Sequence, residues 1–298
     1  MKKISRFDLA DFNSPDRIAD AIIHLIPDLP IPVPVDELAL MLDIISIEDD
    51  DFEGFEGTLL LNDIEKSAGI IGVKRTIPIQ RQRRRFTIGH ELCHFLAPFH
   101  KPLSGILFQC SSEDMHLSFA RKEDPAARME VEANRFSARI LMPEPHFRRD
   151  LRLRKGAEID HILAFAERYD TSKEATARRY VDLQDEPCAI VVSHNGQVLR
   201  FYRHEDFPFI DIERGDPVPN GSLTAKTYLT TGVPSNSEEM DGGLWLSGYL
   251  DHRIPMIYEQ VLPQSDEYRL TLLSLAEDPE EIEEEEKLEE SWTPKFKR

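Results

Sequence analysis

The chain has 298 residues, 41% of them hydrophobic, which is an ordinary globular composition with enough length to bury a core in one large or two medium domains. Its formal charge of −19 disfavours non-specific binding to nucleic acid. No uncharged apolar run approaches the roughly 18 to 20 residues of a membrane span, and the start, Met1-Lys2-Lys3-Ile4-Ser5-Arg6, lacks a signal-peptide core; three widely spaced cysteines (Cys93, Cys110, Cys188) argue against a disulfide framework, so a soluble cytoplasmic protein is expected.

The first predicted helix runs over about 14–26, with Ser14 as N-cap, Pro15 at the first helical position and Ile18, Ala21, Ile22 and Leu25 on one face. Prolines punctuate 27–34, and a second helix covers about 35–43. Segments 44–48, 57–61 and 68–73 read as strands. From Lys74 to Arg85 the chain carries six basic residues and no acid. A helix over about 87–97 follows, stopped by Pro98. Basic charge before a helix start opposes the helix dipole, so these side chains should find anionic partners. The stretch between Pro98 and Pro125 has no regular pattern.

From Ala126 a helical period returns, with Ala126, Met129, Ala133, Phe136 and Ile140 on one stripe and Pro143 as its stop. Two further helices are expected at about 157–169 and 172–183, an arrangement that resembles a helix-turn-helix exposing Lys173, Arg178 and Arg179, although two packed core helices are the preferred reading. After Pro187 the texture changes to short β-like runs at 189–192 and 198–202 joined by Asn195-Gly196. The expected division is a domain over 1–185, a C-terminal domain over 186–276, and a tail at 277–298 whose residues 277–290 hold ten acids and one lysine.

The chemistry centres on His90-Glu91-Leu92-Cys93-His94. A helix turns about 100° per residue, so two histidines four apart lie roughly 6 Å apart on one face and can reach one ion. Glu91, one residue round the helix, lies beside that ion and can accept a proton from an attacking water. A catalytic site needs a third protein ligand. His100 fits the outer spacing of H-E-x-x-H-x-x-G-x-x-H, but the central glycine is replaced by Ala97, and Pro98 pushes Ala97 towards extended geometry. The acids on the 126–142 helix are the other candidates. Glu130 and Glu132 point to different sides of it; Glu130 borders the apolar stripe and is preferred, with Asn134 one turn on to orient a ligand, while Glu132 reads as solvated or salt-bridged. His146, after Pro143-Glu144-Pro145, is a candidate oxyanion stabiliser.

Arg83-Arg84-Arg85-Phe86-Thr87-Ile88-Gly89-His90-Glu91-Leu92-Cys93-His94, followed by residues 130–143 (Glu-Val-Glu-Ala-Asn-Arg-Phe-Ser-Ala-Arg-Ile-Leu-Met-Pro), resembles the ImmA/IrrE family of metallo-endopeptidases. The resemblance implies His90, His94 and Glu130 as ligands, Glu91 as catalytic residue, and Zn2+ as the metal, which two imidazoles and a carboxylate suit. It departs from the family pattern at Gly89, usually alanine, which should lower helix stability by up to about 1 kcal/mol, and at Cys93, usually glycine, which is expected to be buried. The fold class it implies is α+β: a mainly helical zincin-like peptidase domain with a small sheet, followed by a smaller mixed α/β C-terminal domain of possible GAF-like sensor type.

The implied activity is intracellular cleavage of a helix-turn-helix repressor, with derepression of mobile-element or stress-response genes. The substrate is expected to pair in extended form against strand 68–73. Direct DNA binding is not favoured, and no membrane is involved. The alternative from another class is a regulatory DNA- or protein-binding module whose metal site is structural or vestigial. Glu91 separates the two, because a structural site has no need of a carboxylate beside its ligands.

Overall fold

The computed structural model describes residues 1–76, 80–102, 105–117, 120–246 and 255–276; the predicted acidic tail at 277–298 lies outside the described residues. The chain divides into two compact units, Met1–Leu153 with Leu163–Arg179, and Arg154–Ile162 with the chain from Tyr180 onward. Residues 154–162 thus group with the second unit. No helix among the described residues is long and apolar enough to cross a membrane. The class is mixed α+β, a helical zincin-like unit and a C-terminal sheet unit.

In the first unit, helix α1 (Pro15–Leu25) begins as its sequence dictates, with the Ser14 hydroxyl accepting from the Arg17 amide and Pro15 inside the first turn. Helix α2 (Val35–Met41) follows, then strands β1 (Ile44–Asp50), β2 (Gly57–Leu61) and β3 (Gly69–Lys74). Helix α3 is Arg81–Leu96, β4 is Leu107–Cys110, and α4 is Pro125–Leu141, capped by the Asp124 carboxylate on the Ala127 amide. Helix α5 (Glu144–Leu151) was not foreseen, because Pro143 and Pro145 read as a stop; here Pro143 is the N-cap residue and Pro145 lies in the first turn, where a missing N–H costs nothing.

The sheet order is β1-β3-β2-β4, with β1 parallel to β3 and the other pairs antiparallel. Strand β3 is therefore internal. Ile71 pairs with Ile47 on one side and Leu59 on the other and is fully buried, so the 68–73 strand cannot offer an edge to a substrate. Strand β4 holds the edge position next to β2, in a stretch that looked irregular because only four residues are extended. Ile88, Leu92, Cys93 and Phe95 of α3 share one apolar core with Ala133, Phe136 and Ile140 of α4 and with Leu59 and Ile71 of the sheet.

Helix α3 starts six residues earlier than its pattern suggested, so four of the arginines lie in its first turns. Each of the six basic residues finds an acid: Lys74 and Arg83 meet Glu56, Arg75 meets Asp51, Arg81 and Arg85 meet Asp170, and Arg84 bridges Asp36 and Asp49 at 2.6 and 2.8 Å. These carboxylates supply the anionic charge that the helix N-terminus lacks in its own sequence.

Helices α6 (Ile159–Tyr169) and α7 (Lys173–Leu183) close the helical series. Arg179 is buried and donates to the Met142 carbonyl, and Lys173 and Arg178 are half-buried, so α7 does not present the basic face of a recognition helix. In the second unit, β5 (Cys188–His194), β6 (Gln197–Arg203), β7 (Glu238–Asp241), β8 (Met256–Pro263) and β9 (Tyr268–Leu275) form an antiparallel sheet of order β6-β5-β9-β8-β7. Asn195 and Gly196 both take positive φ and make the β5-β6 hairpin. Beyond Leu183 the described residues form strands and 3-10 turns, and with helical residues 159–162 and 180–183 the unit is mixed and dominated by its sheet. Its buried Glu259 accepts from the Leu223 and Thr224 amides, the Thr224 hydroxyl and Trp245 Nε1, which satisfies the carboxylate with no ion pair among the described residues.

Candidate metal centre

Helix α3 carries His90 and His94 one turn apart, their rings 4.8 Å centroid to centroid and both fully buried. Helix α4, packed on α3, brings Glu130 to them. His90 Nε2 and His94 Nε2 are 3.0 Å apart, and Glu130 Oε2 lies 3.0 Å from the first and 3.4 Å from the second. Three donor atoms at such separations match an edge of about 3.3 Å for a tetrahedral site with bonds of 2.0–2.1 Å. A fourth group, the Cys110 thiol on β4, completes a cluster whose ligand atoms all lie within 4.8 Å of one another.

The protonation states suit cation binding. For Glu130 burial opposes ionisation, but hydrogen bonds to both histidines hold its carboxyl well below the usual range. Burial drives His94 down to about 3, so it is a neutral imidazole. For His90 burial acts downward too, yet the Glu130 hydrogen bond and the Glu91 charge outweigh it and raise its pKa. The proton held between His90 and Glu130 is the one an ion would displace. Burial pushes the Cys110 thiol far up, helped by the charges of Glu91 and Glu130, so unmetallated Cys110 stays protonated.

Asn134 fixes His90. Its amide nitrogen donates to the Asp114 and Leu117 carbonyls at 2.7 and 3.0 Å, which sets the amide orientation and turns Oδ1 to His90 Nδ1 at 2.8 Å. His90 therefore donates from Nδ1 and presents Nε2 to the cluster. His94 is held on its flank by the Phe108 ring, stacked at 4.7 Å, and by Lys66, whose ammonium donates to the His94 and Ala97 carbonyls at 2.6 and 2.7 Å.

Glu91 is the anomaly of the site. It is fully buried, neither carboxylate oxygen has a geometrically good hydrogen bond among the described residues, and burial raises its pKa to about 7, partly countered by the His90 charge and by the neighbouring Cys110 thiol, a weak donor. The backbone of Gly57 on β2 lies against it: an added β-carbon there would overlap Glu91 Oε1 and come within 2.6 Å of Thr87 Cγ2. A carboxylate without a good hydrogen bond beside three converging donors fits a site built around an ion and a water, since burial without such partners is costly. The donor set accommodates a divalent metal ion.

The other expected residues sort differently. His100 is buried, but it contacts His94 through Nδ1 and faces Glu132 through Nε2, so it is behind a ligand instead of being one. Glu132, expected to be solvated or salt-bridged, is half-buried and accepts a hydrogen bond from His100 Nε2. His146 lies on α5, where its electrostatic neighbours are Arg149, Asp150 and Arg168, and it is not among the ligand atoms of the cluster. Cys93 is buried and its thiol is raised well above its usual value by burial, an inert packing residue. Reading the sequence missed Cys110, Gly57 and Lys66. No spacing links them to His90, since each arrives through the sheet or the turn that follows it.

Residues 45–180 match the model of the peptidase M78 family, described as the IrrE N-terminal-like domain. Among solved structures, a Mycobacterium tuberculosis transcriptional regulator shares the fold, with a TM-score of 0.52 and 12% identity over 91% of this chain and 79% of that one. No curated protein matches significantly. Residues 45–180 are thus similar to an IrrE N-terminal-like domain, in line with the ImmA/IrrE resemblance, and the histidine–glutamate cluster lies within that matched stretch.

Proposed function

From this IrrE N-terminal-like domain we infer that the protein is a zinc-dependent endopeptidase whose substrate is a helix-turn-helix repressor. The observation that carries the peptidase reading is Glu91, a buried carboxylate with no geometrically good hydrogen bond among the described residues, beside His90, His94 and Glu130. A zinc ion held by those three would supply Lewis acidity, lowering the pKa of water and polarising a peptide carbonyl.

The remaining work falls to the chain. Glu91, raised to about 7, is matched to accept a proton from water near neutral pH and to return it to the leaving amine. Gly57 leaves room for that carboxylate beside β2. Asn134 and His100 hold the two histidine rings, and Glu130 supplies the negative charge that fixes a cation. Strand β4, at the sheet edge with Phe108 on His94 and Cys110 in the cluster, is the natural place for an extended substrate to pair. The burial of Arg179 speaks against a DNA-reading helix at 173–183.

Derepression of mobile-element or stress-response genes follows from such cleavage. The test is co-expression with the product of a neighbouring helix-turn-helix gene. Wild type should cleave it in a metal-dependent manner, and Glu91→Gln should not. Equal loss of the repressor with both proteins, or with neither, would sink the reading.

A further inference from the structure

Glu132, His100 and His94 stand in a line that ends at the metal-binding nitrogen. Glu132 Oε2 is 3.0 Å from His100 Nε2, and His100 Nδ1 is 3.0 Å from His94 Nδ1. The opposite nitrogen of His94, Nε2, is the one that meets His90 and Glu130. A carboxylate only accepts, so His100 carries its proton on Nε2. A neutral imidazole then offers a lone pair at Nδ1, and the His94 nitrogen facing it must be the donor. That leaves the bare lone pair of His94 on Nε2, aimed at Glu130 and His90.

We propose that His100 and Glu132 are a positioning pair for His94, fixing its tautomer and ring orientation and relaying the Glu132 charge to the metal-binding nitrogen. Neither residue touches the ion. The two histidine ligands are then held by different chemistry: His90 by a neutral amide anchored on two backbone carbonyls, His94 by a carboxylate acting through a second imidazole. His100 is 1% exposed at the turn after α3, where its amide donates to the Ala97 carbonyl, so its ring is committed to this contact. Supporting hydrogen bonds of this kind typically change metal affinity by about 10- to 100-fold. The inference rests on the metal-site reading of His90, His94 and Glu130, and not on peptidase activity.

The test is zinc affinity of the purified full chain, measured by competition with a chromogenic chelator, with thermal melting of each apo-protein alongside. His100→Ala should bind zinc about 10- to 100-fold more weakly than wild type. Glu132→Gln, half-buried and isosteric, should melt like wild type and still bind several-fold more weakly. His100→Asn keeps an acceptor for His94 Nδ1, as Asn134 does for His90, and should lose less than His100→Ala. Histidine ring 15N spectra should show His94 protonated on Nδ1 in wild type and a tautomer mixture in His100→Ala.

Tight zinc binding by wild type with equal affinity in Glu132→Gln and His100→Ala overturns the pairing and leaves the site reading standing. Equal losses in His100→Ala and His100→Asn that follow the loss in melting temperature reduce His100 to packing and also overturn it. Absence of zinc binding by wild type itself overturns both the pair and the metal site.

Discussion

Gly89 of α3 lies so close to Ser137 of α4 that a β-carbon on it would sit 2.5 Å from the Ser137 hydroxyl and 3.3 Å from its backbone Cα. The hydroxyl is not free to yield, because it donates to the Phe86 carbonyl at 2.8 Å. Intrinsic helix preference favours alanine over glycine by about 0.5–1 kcal/mol, whereas forcing a methyl into a filled contact costs about 1–3 kcal/mol. The contact wins. Gly89→Ala should therefore destabilise the protein by about 1–2 kcal/mol in urea denaturation, and Ser137→Gly in the same background should restore part of the loss. A Gly89→Ala protein more stable than wild type would show that the helices separate freely here.

Gly57 makes the same kind of contact with Glu91, the proposed general base. Gly57→Ala would push Glu91 and the Thr87 methyl from their places, and its nearest contacts are with those two side chains and not with His90, His94 or Glu130. The expected outcome is a full complement of zinc by metal analysis and a repressor-cleavage rate lowered by about tenfold or more, as for a misplaced general base. Loss of the metal together with activity would mean that β2 supports the ligands as well.

Lys66 is a buried ammonium whose pKa burial lowers to about 8. In the unfolded chain it titrates near 10.5. Between those values the unfolded state binds more protons than the folded one, so stability rises with pH across the window. The penalty of burying the charge is fully present below about pH 8 and gone above about 10.5. Wild type should gain stability relative to Lys66→Met as pH is raised from 8 to 10, read as the difference between two denaturation series. A difference that is flat with pH would place Lys66 in a more hydrated setting.

Cys110 completes the cluster geometrically, but its thiol is held protonated by burial and by adjacent carboxylates, and three ligands with an open position are the catalytic arrangement. Cobalt-substituted protein should lack sulfur-to-cobalt charge-transfer absorption, and Cys110→Ala should still bind one ion. A strong sulfur band that disappears in Cys110→Ala would instead make Cys110 a ligand and the site a closed one.

Local signals carried well. Ser14-Pro15, the strand at 57–61, the extended Ala97 before Pro98 and the Asn195-Gly196 hairpin are each dictated by a few neighbouring residues, through capping, alternation, proline sterics or positive φ. The boundaries that failed depended on distant partners. Helix α3 begins at Arg81 because Asp170, Glu56, Asp36 and Asp49 arrive from elsewhere to neutralise its arginines, and α5 forms across two prolines that alone read as a stop.

By itself the sequence determined that His90 and His94 share a helical face with Glu91 beside them, because helix geometry at a spacing of four is local. It also put Glu130 and Asn134 on one face of the helix that became α4. Only the tertiary structure decided what meets what: that α4 lies on α3 closely enough to bring Glu130 within 3.4 Å of both histidines, that β3 is enclosed while β4 is the edge, and that His100 turns behind His94. Those outcomes come from packing one apolar core, where a glycine at position 89 or 57 counts through the atom it leaves out.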